Sequence, residues 1–397
     1  MLVYIMFIIY ILISIYFLKR LLHWLKLVSG MFKHKRVQTL IIVLYLFLAS
    51  TILFGGLMPK CGFKIFMQKI GNYWLGTFNY LVFFMIVVDI IVAVMKLINR
   101  KHEIKMLTNI RCFYSAGVIV AAASITFSVC GFVHAHKLVT TTYDVTVDKE
   151  VDNMSDLKIA LVSDLHMGYS DGCSQMKDMV DKINALNPDV VAIAGDIFDN
   201  NYDALEDPDE LIRILGSIKS KYGVYATYGN HDVTETLIGG FSISSKRLAF
   251  RDPRMDEFLK KCGFKVLEDD AVLIDGKVNL IGRLDGEKAG DGTSDRKSIE
   301  ELTKSTDKTK PVIVIQHEPS NLDGISKCGV DVLLSGHTHA GQFFPLTVGQ
   351  PFAWENYYGL LKKGNMYSVL TSGVGLYGPN MRTLTTAEVV ELNIHFK

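Results

Sequence analysis

Cysteine is sparse and unpaired in this sequence: Cys61, Cys112, Cys130, Cys173, Cys262 and Cys328 stand alone, with no C-x-x-C or C-x-H spacing. That excludes a thiolate zinc module and leaves the cysteines as packing residues. A disulfide would have to join two of the last three, in a domain outside the cell. An excess of charge of one sign is also lacking: 42 Lys and Arg against 41 Asp and Glu give a net charge of +1. The global balance therefore carries no footprint for nucleic acid, and the useful charge information is local. Internal repeats and low-complexity segments are absent. The first apolar run lacks the charged leader and small-residue cleavage site of a signal peptide.

What is present is apolar surface, 49% of the 397 residues. Four runs, residues 2–18, 37–58, 75–98 and 115–133, are long enough for helices that cross a bilayer, which takes roughly 20 residues each. They define a transmembrane region, residues 1–135. Lys19, Arg20, Lys26, Lys33, Lys35 and Arg36 separate the first two runs, and Arg100, Lys101, Lys105 and Arg111 follow the third. Lys60, Lys64 and Lys69 weaken the contrast, but Asp144, Asp148, Glu150, Asp152 and Asp156 follow the fourth. The expectation is a multi-pass protein of the cell membrane whose C-terminal part lies outside the cytoplasm. Asp89, inside the third run, is either a residue paired within the bundle or a functional carboxylate.

After a linker over residues 136–156, the pattern over 157–397 changes to short β-branched runs alternating with amphipathic stretches, as in an α/β domain. Nearly continuous apolar strands predict sheets covered by helices. Expected strands include residues 157–163, 190–194, 224–228, 271–274, 278–282, 312–316, 330–335, 367–371 and 388–395; expected helices are 174–186, 207–221, 255–262 and 298–304.

Five of these strands end in the same chemistry: Ser163-Asp164-Leu165-His166, Gly195-Asp196-Ile197-Phe198-Asp199, Gly229-Asn230-His231-Asp232, Gln316-His317-Glu318-Pro319 and Gly336-His337-Thr338-His339-Ala340-Gly341-Gln342. Strand ends of an open α/β sheet are where ligands gather. Carboxylates, imidazoles and one amide oxygen suit manganese, iron or zinc, and the number of ligands implies two ions. In extended backbone, Asp-x-His and His-x-His each aim two ligands to one side. Glycines before Asp196, Asn230 and His337 permit close approach.

In this order, the motifs resemble the calcineurin-like metallophosphoesterase superfamily, over residue 157 to the C-terminus. Leu157-Lys158-Ile159, Lys221-Tyr222-Gly223-Val224-Tyr225, Pro345 after Gln342, and Gly373-Val374-Gly375 with Pro379 and Arg382 are similar to its membrane-linked bacterial phosphodiesterase branch. Arg283-Leu284-Asp285 departs from that branch, which often has a double aspartate there. The resemblance implies two packed mixed sheets flanked by helices, an α/β/β/α sandwich behind a four-helix transmembrane bundle. It implies one metal on Asp164, His166, Asp196 and His339, and a second on Asp196, Asn230, His317 and His337, with manganese, iron or zinc in divalent or trivalent form. His231 would serve the leaving group, with Asp232 orienting its imidazole, and Asp199 would order the loop. The implied activity is a phosphodiesterase or pyrophosphatase in which a metal-bridging hydroxide attacks a membrane- or wall-linked phosphate ester. A soluble nucleotide or protein phosphate is the alternative substrate, and a membrane sensor or transporter with a non-catalytic metal domain the alternative class. No nucleic-acid partner is expected. Arg382 either meets phosphate or braces its turn, and the loop 285–296 is expected to be solvated.

Overall fold

A computed structural model describes residues 2–58, 62–99, 110–235, 237–238, 241–242, 249–292 and 295–397. They form two compact units: residues 1–133 with 237–243 and 378–381, and residues 134–236, 244–377 and 382–397.

Among the described residues, the first unit holds four helices long and apolar enough to cross a membrane. They are α1 (Leu2–Val28), α2 (Lys35–Leu57), α3 (Gly62–Asn99) and α4 (Ile110–Ala135). Helices α1 and α3 run well beyond the apolar runs, so Lys19, Arg20, Lys26, Lys64 and Lys69 lie within helices rather than loops. Only a short turn, capped where the Met31 amide donates to Ser29 Oγ at 3.3 Å, joins α1 to α2. Arg100, Lys101 and Lys105 lie outside the described residues. Phe17, Tyr45, Ala49, Phe78 and Met85 form the helical core. Two of its polar side chains are paired inside it: Tyr45 Oη donates to the Ser14 carbonyl and Trp74 Nε1 to Tyr10 Oη, both at 3.0 Å. Asp89 has its base. It pairs with Arg20 and accepts from Tyr16 Oη at 2.9 Å, which gives the intramembrane carboxylate a structural partner. A two-residue pair, β5 (Leu237–Ile238) with β6 (Phe241–Ser242), also belongs to this unit.

The second unit is built on two six-stranded mixed sheets among the described residues. The first runs, in spatial order, β1 (Leu138–Val147), β14 (Ala387–Phe396), β2 (Asp156–Val162), β3 (Val190–Ala194), β4 (Val224–Thr227) and β7 (Lys265–Val266). The second runs β12 (Gly359–Lys363), β13 (Met366–Leu370), β11 (Val332–Ser335), β10 (Val312–Ile315), β9 (Val278–Gly282) and β8 (Asp270–Ile274). Strand periodicity sorts the core into layers. Val190, Ala192 and Ala194 of β3 face inward with Ile313, Ile315, Val332 and Leu334 of the other sheet. Val191 and Ile193 face outward, against α5 (Cys173–Leu186), α6 (Pro208–Leu215) and α7 (Pro253–Lys261). Helices α8 (Ile299–Lys304) and α9 (Leu322–Lys327) cover the second sheet through Ile299, Leu302, Leu322 and Ile325. The last helix, α10 (Leu346–Ala353), buries none of its residues.

Several boundaries differ from the sequence expectation. Residues 138–147, within the stretch read as linker, form β1, paired in parallel with β14 from Leu138↔Ala387 to Val147↔Phe396. Its interior is only half-buried and rich in threonine, so it lacks the apolar run of a central strand. Helix α6 ends at Gly216, well short of residue 221. Cys173, Cys262 and Cys328 are all free thiols.

Candidate metal centre

The five polar strand ends meet. Asp164 and His166 leave β2, Asp196 leaves β3, Asn230 leaves β4, His317 leaves β10, and His337 and His339 leave β11. They do not converge by extended geometry. Asp164, His166, Asp196, His337 and His339 all have positive φ, between 42° and 75°. Non-glycine residues hold such conformations only where surrounding bonds impose them. Here the Asp164 amide donates to the Gly195 carbonyl at 3.0 Å, the His166 amide to Asp196 O at 3.1 Å, and the Gly375 amide to Asp164 O at 2.7 Å. Two glycines are required by contact rather than by φ. A Cβ at Gly229 would lie 2.2 Å from Asp196 Oδ1, and one at Gly336 would lie 1.9 Å from Ser163 Oγ.

Of three groups of potential ligand atoms among the described residues, two carry the strand-end motifs, Asp164, His166 and His339 in one and Asp196, His317 and His337 in the other. In the first, His166 Nε2 lies 3.1 Å from His339 Nε2, and His339 Nε2 lies 3.3 Å from Asp164 Oδ1. In the second, His317 Nε2 lies 3.0 Å from Asp196 Oδ2 and 3.2 Å from His337 Nδ1, and Asn230 Oδ1 lies 3.0 Å from the same Nδ1. Asp196 touches both groups, because its Oδ2 is also 3.7 Å from His166 Nε2. Buried lone pairs packed this closely are a fit for cations. Burial lowers His166 and His337 to about 4 and holds His339 well below its usual range, so these imidazoles are neutral donors. His317 is the exception: burial opposes its charge, but the field of Asp196 holds it protonated, and His317 in turn keeps Asp196 ionised despite burial. His317 Nδ1 donates to the Ala194 carbonyl at 2.7 Å, which turns Nε2 toward Asp196. A cation there would displace that Nε2 proton.

His231 stands on the wall of a cavity of about 260 Å³ lined also by His166, Asp196, Asn230, His337 and His339. Its amide donates to Asp196 Oδ1 at 2.8 Å. The ring's partner is not Asp232. Asn200 Nδ2 donates to the Val233 carbonyl, so Asn200 Oδ1 faces His231 and accepts from Nδ1–H. Asp232 instead accepts from the amides of Ile197, Phe198 and Gly229 at 2.8–2.9 Å, clamping the β3 and β4 loops together. Asp232→Ala strands three buried donors, and a loss of about 3 kcal/mol or more is expected in thermal melts of the chain in detergent. A melt unchanged from wild type would contradict this clamp.

Asp199 groups with His166 and His231, its Oδ1 3.9 Å from His166 Nδ1, and burial raises its carboxyl to about 8. Arg382 is fully buried and donates to the carbonyls of Ser372, Gly373 and Gly375, so it braces the turn that packs on Asp164. The loop after Arg283-Leu284-Asp285 is built rather than loosely solvated: Asp285 accepts from the amides of Glu287 and Lys288, and Lys288 forms a buried 2.5 Å ion pair with Glu235. Sequence reasoning missed Asn200 and also Tyr377, whose ring lies 4.8 Å from that of His231. A polar residue after the second aspartate of the 195–199 motif was the available signal for Asn200.

Residues 157–341 match the family described as calcineurin-like phosphoesterase. A transmembrane protein with metallophosphoesterase domain from Danio rerio is 27% identical over 334 residues, 80% of this chain and 71% of that protein. The Bos taurus protein of the same description is 30% identical over 260 residues, 64% of this chain and 56% of its own length. A UDP-2,3-diacylglucosamine pyrophosphatase of Chlamydia trachomatis is 23% identical over 269 residues, 58% of this chain and 79% of the bacterial protein.

Proposed function

We propose that this chain, whose residues 157–341 match the calcineurin-like phosphoesterase family, is a metal-dependent phosphoric ester hydrolase, and more finely a membrane-anchored, dinuclear phosphodiesterase or pyrophosphatase acting on a membrane- or wall-linked phosphate ester. The observation that carries this reading is the double ligand cluster joined by Asp196 beside the cavity. Asp164, His166, Asp196 and His339 would hold one ion, and Asp196, Asn230, His317 and His337 the other. Bound there, two cations of manganese, iron or zinc type would activate water and neutralise charge on the phosphoryl oxygens. The protein's own part is positional. His231, oriented by Asn200, would hydrogen-bond the departing oxygen, and Asp232 would hold the ligand loops in register. The diacylated sugar nucleotide in the chlamydial relative's name supports an amphiphilic substrate.

The reading places the catalytic unit outside the cytoplasm, because Lys33, Lys35 and Arg36 flank the α1–α2 turn while acidic residues follow α4. A periplasm-dependent reporter fused after Lys397 should be active; activity of a cytoplasm-dependent one would redirect the search to cytosolic esters.

The functional test is turnover of a chromogenic phosphodiester and of a pyrophosphate by the full chain in detergent. Chelation should abolish it, and manganese, iron or zinc should restore it. A fully metallated chain silent toward both esters would defeat the proposal. Fragments starting after Val147 are unsuitable, because they would lose β1.

A further inference from the structure

The stretch 343–354, Phe-Phe-Pro-Leu-Thr-Val-Gly-Gln-Pro-Phe-Ala-Trp, contains no charged residue. Its helix, α10, has two functional sides. Leu346, Gln350 and Trp354 line the metal cavity together with Phe343, and the Trp354 ring lies 5.3 Å from that of His337. Away from the cavity, Val348 is 57% and Phe352 90% exposed, and Leu346 at the rim is 53% exposed. Soluble surfaces scatter single apolar residues, but a charge-free helix with no buried residue, set against a catalytic cavity, is a patch with a purpose.

The patch extends across a hydrogen-bonded root. The Thr383 amide donates to the Gln342 carbonyl at 3.0 Å and the Phe344 amide to Thr383 Oγ1 at 2.9 Å, which sets Leu384, 79% exposed, beside the start of α10. Thr385 Oγ1 donates to the same Gln342 carbonyl at 2.9 Å. The Thr385 carbonyl in turn lies 3.1 Å from Nε2 of His134, in the last turn of membrane-length α4. His134, the first residue of the catalytic unit, is therefore bonded to the segment that anchors α10.

We infer that α10 and Leu384 seat the hydrocarbon of a lipid phosphoester, so that the substrate's phosphate enters the metal cavity while its tail stays against Val348, Phe352 and Leu384. The inference rests on the hydrolase reading above and names its substrate class. Lipid is favoured as occupant on three grounds: the patch lacks any charge with which to select a protein partner, the segment that anchors it is bonded to His134, which follows a run of membrane-length apolar sequence, and it continues into the cavity proposed for phosphate.

The test uses the full chain in mixed micelles, with phosphodiesters of one head group and increasing alkyl length beside a tail-free chromogenic ester. Wild-type kcat/KM should rise with tail length. In the Val348→Ser, Phe352→Ser double variant that rise should fall by about tenfold or more, the scale of burying one large apolar side chain, with tail-free turnover unchanged. A wild type indifferent to tail length, or a variant that keeps the preference, overturns the inference and leaves the hydrolase reading standing. If no ester is turned over, the hydrolase reading fails by itself. Photo-cross-linking from benzoylphenylalanine placed at Phe352 in vesicles then decides the seat: lipid adducts support it, and adducts to protein alone refute it.

Discussion

Asp196→Ala should reduce metal-dependent turnover of every ester class by about 10³-fold or more. Asp196 Oδ2 reaches imidazoles of both ligand groups, 3.0 Å from His317 and 3.7 Å from His166, and its Oδ1 accepts the His231 amide. Removing it takes a shared ligand from both proposed ions and the negative partner from buried His317. A deficit of roughly 4 kcal/mol in transition-state stabilisation corresponds to that factor. The measurement is kcat/KM on a phosphodiester with saturating metal, alongside a thermal melt to show that the fold survives. Residual activity above one tenth of wild type would mean that Asp196 does not join the two groups.

His231→Ala should cost about 10²–10⁴-fold on esters with a poor, alkoxide leaving group and much less on p-nitrophenyl esters, whose leaving group needs no help. The split matters because a merely structural loss would depress both classes alike. Burial pushes the His231 imidazole down to about 3, so it is neutral, with its proton on Nδ1 facing Asn200. An anionic ester in the cavity would pull the imidazole back toward its protonated form. Asn200→Ala should show the same leaving-group split at smaller amplitude, since it removes the orienting acceptor but leaves the ring. Equal losses on both ester classes would assign His231 to the scaffold.

Much of this architecture was legible in the residues. The apolar runs gave four helices, because length and hydropathy alone decide a membrane span, and the strands at 190–194 and 278–282 fell where their uninterrupted β-branched runs lie. The residues that cluster were legible as well, because each follows an apolar strand and the two sheets bring such ends together. What failed was conformation and partnership. Asp164 and His166 were read as extended, yet their left-handed φ is imposed by bonds to the neighbouring loop around Asp196, which local sequence does not contain. Asp232 was assigned to His231 by adjacency, while its side chain turns toward three amides contributed by two loops. Likewise Arg20 appeared to be a loop cation, and only the pairing of α1 with α3 shows it neutralising Asp89. Half-buried, edge-forming β1 and short α10 lack the periodicity that identifies longer elements, although α10 contributes a wall of the cavity.

The central claim is that one carboxylate joins two metal sites, and the most direct measurement is the metal content of the purified full chain by plasma mass spectrometry after dialysis against manganese, iron or zinc. Two ions per chain are expected in wild type. His317→Ala should retain one, and Asp196→Ala fewer than one. A fully active wild-type chain holding a single ion, or a His317→Ala chain still holding two, would contradict the account.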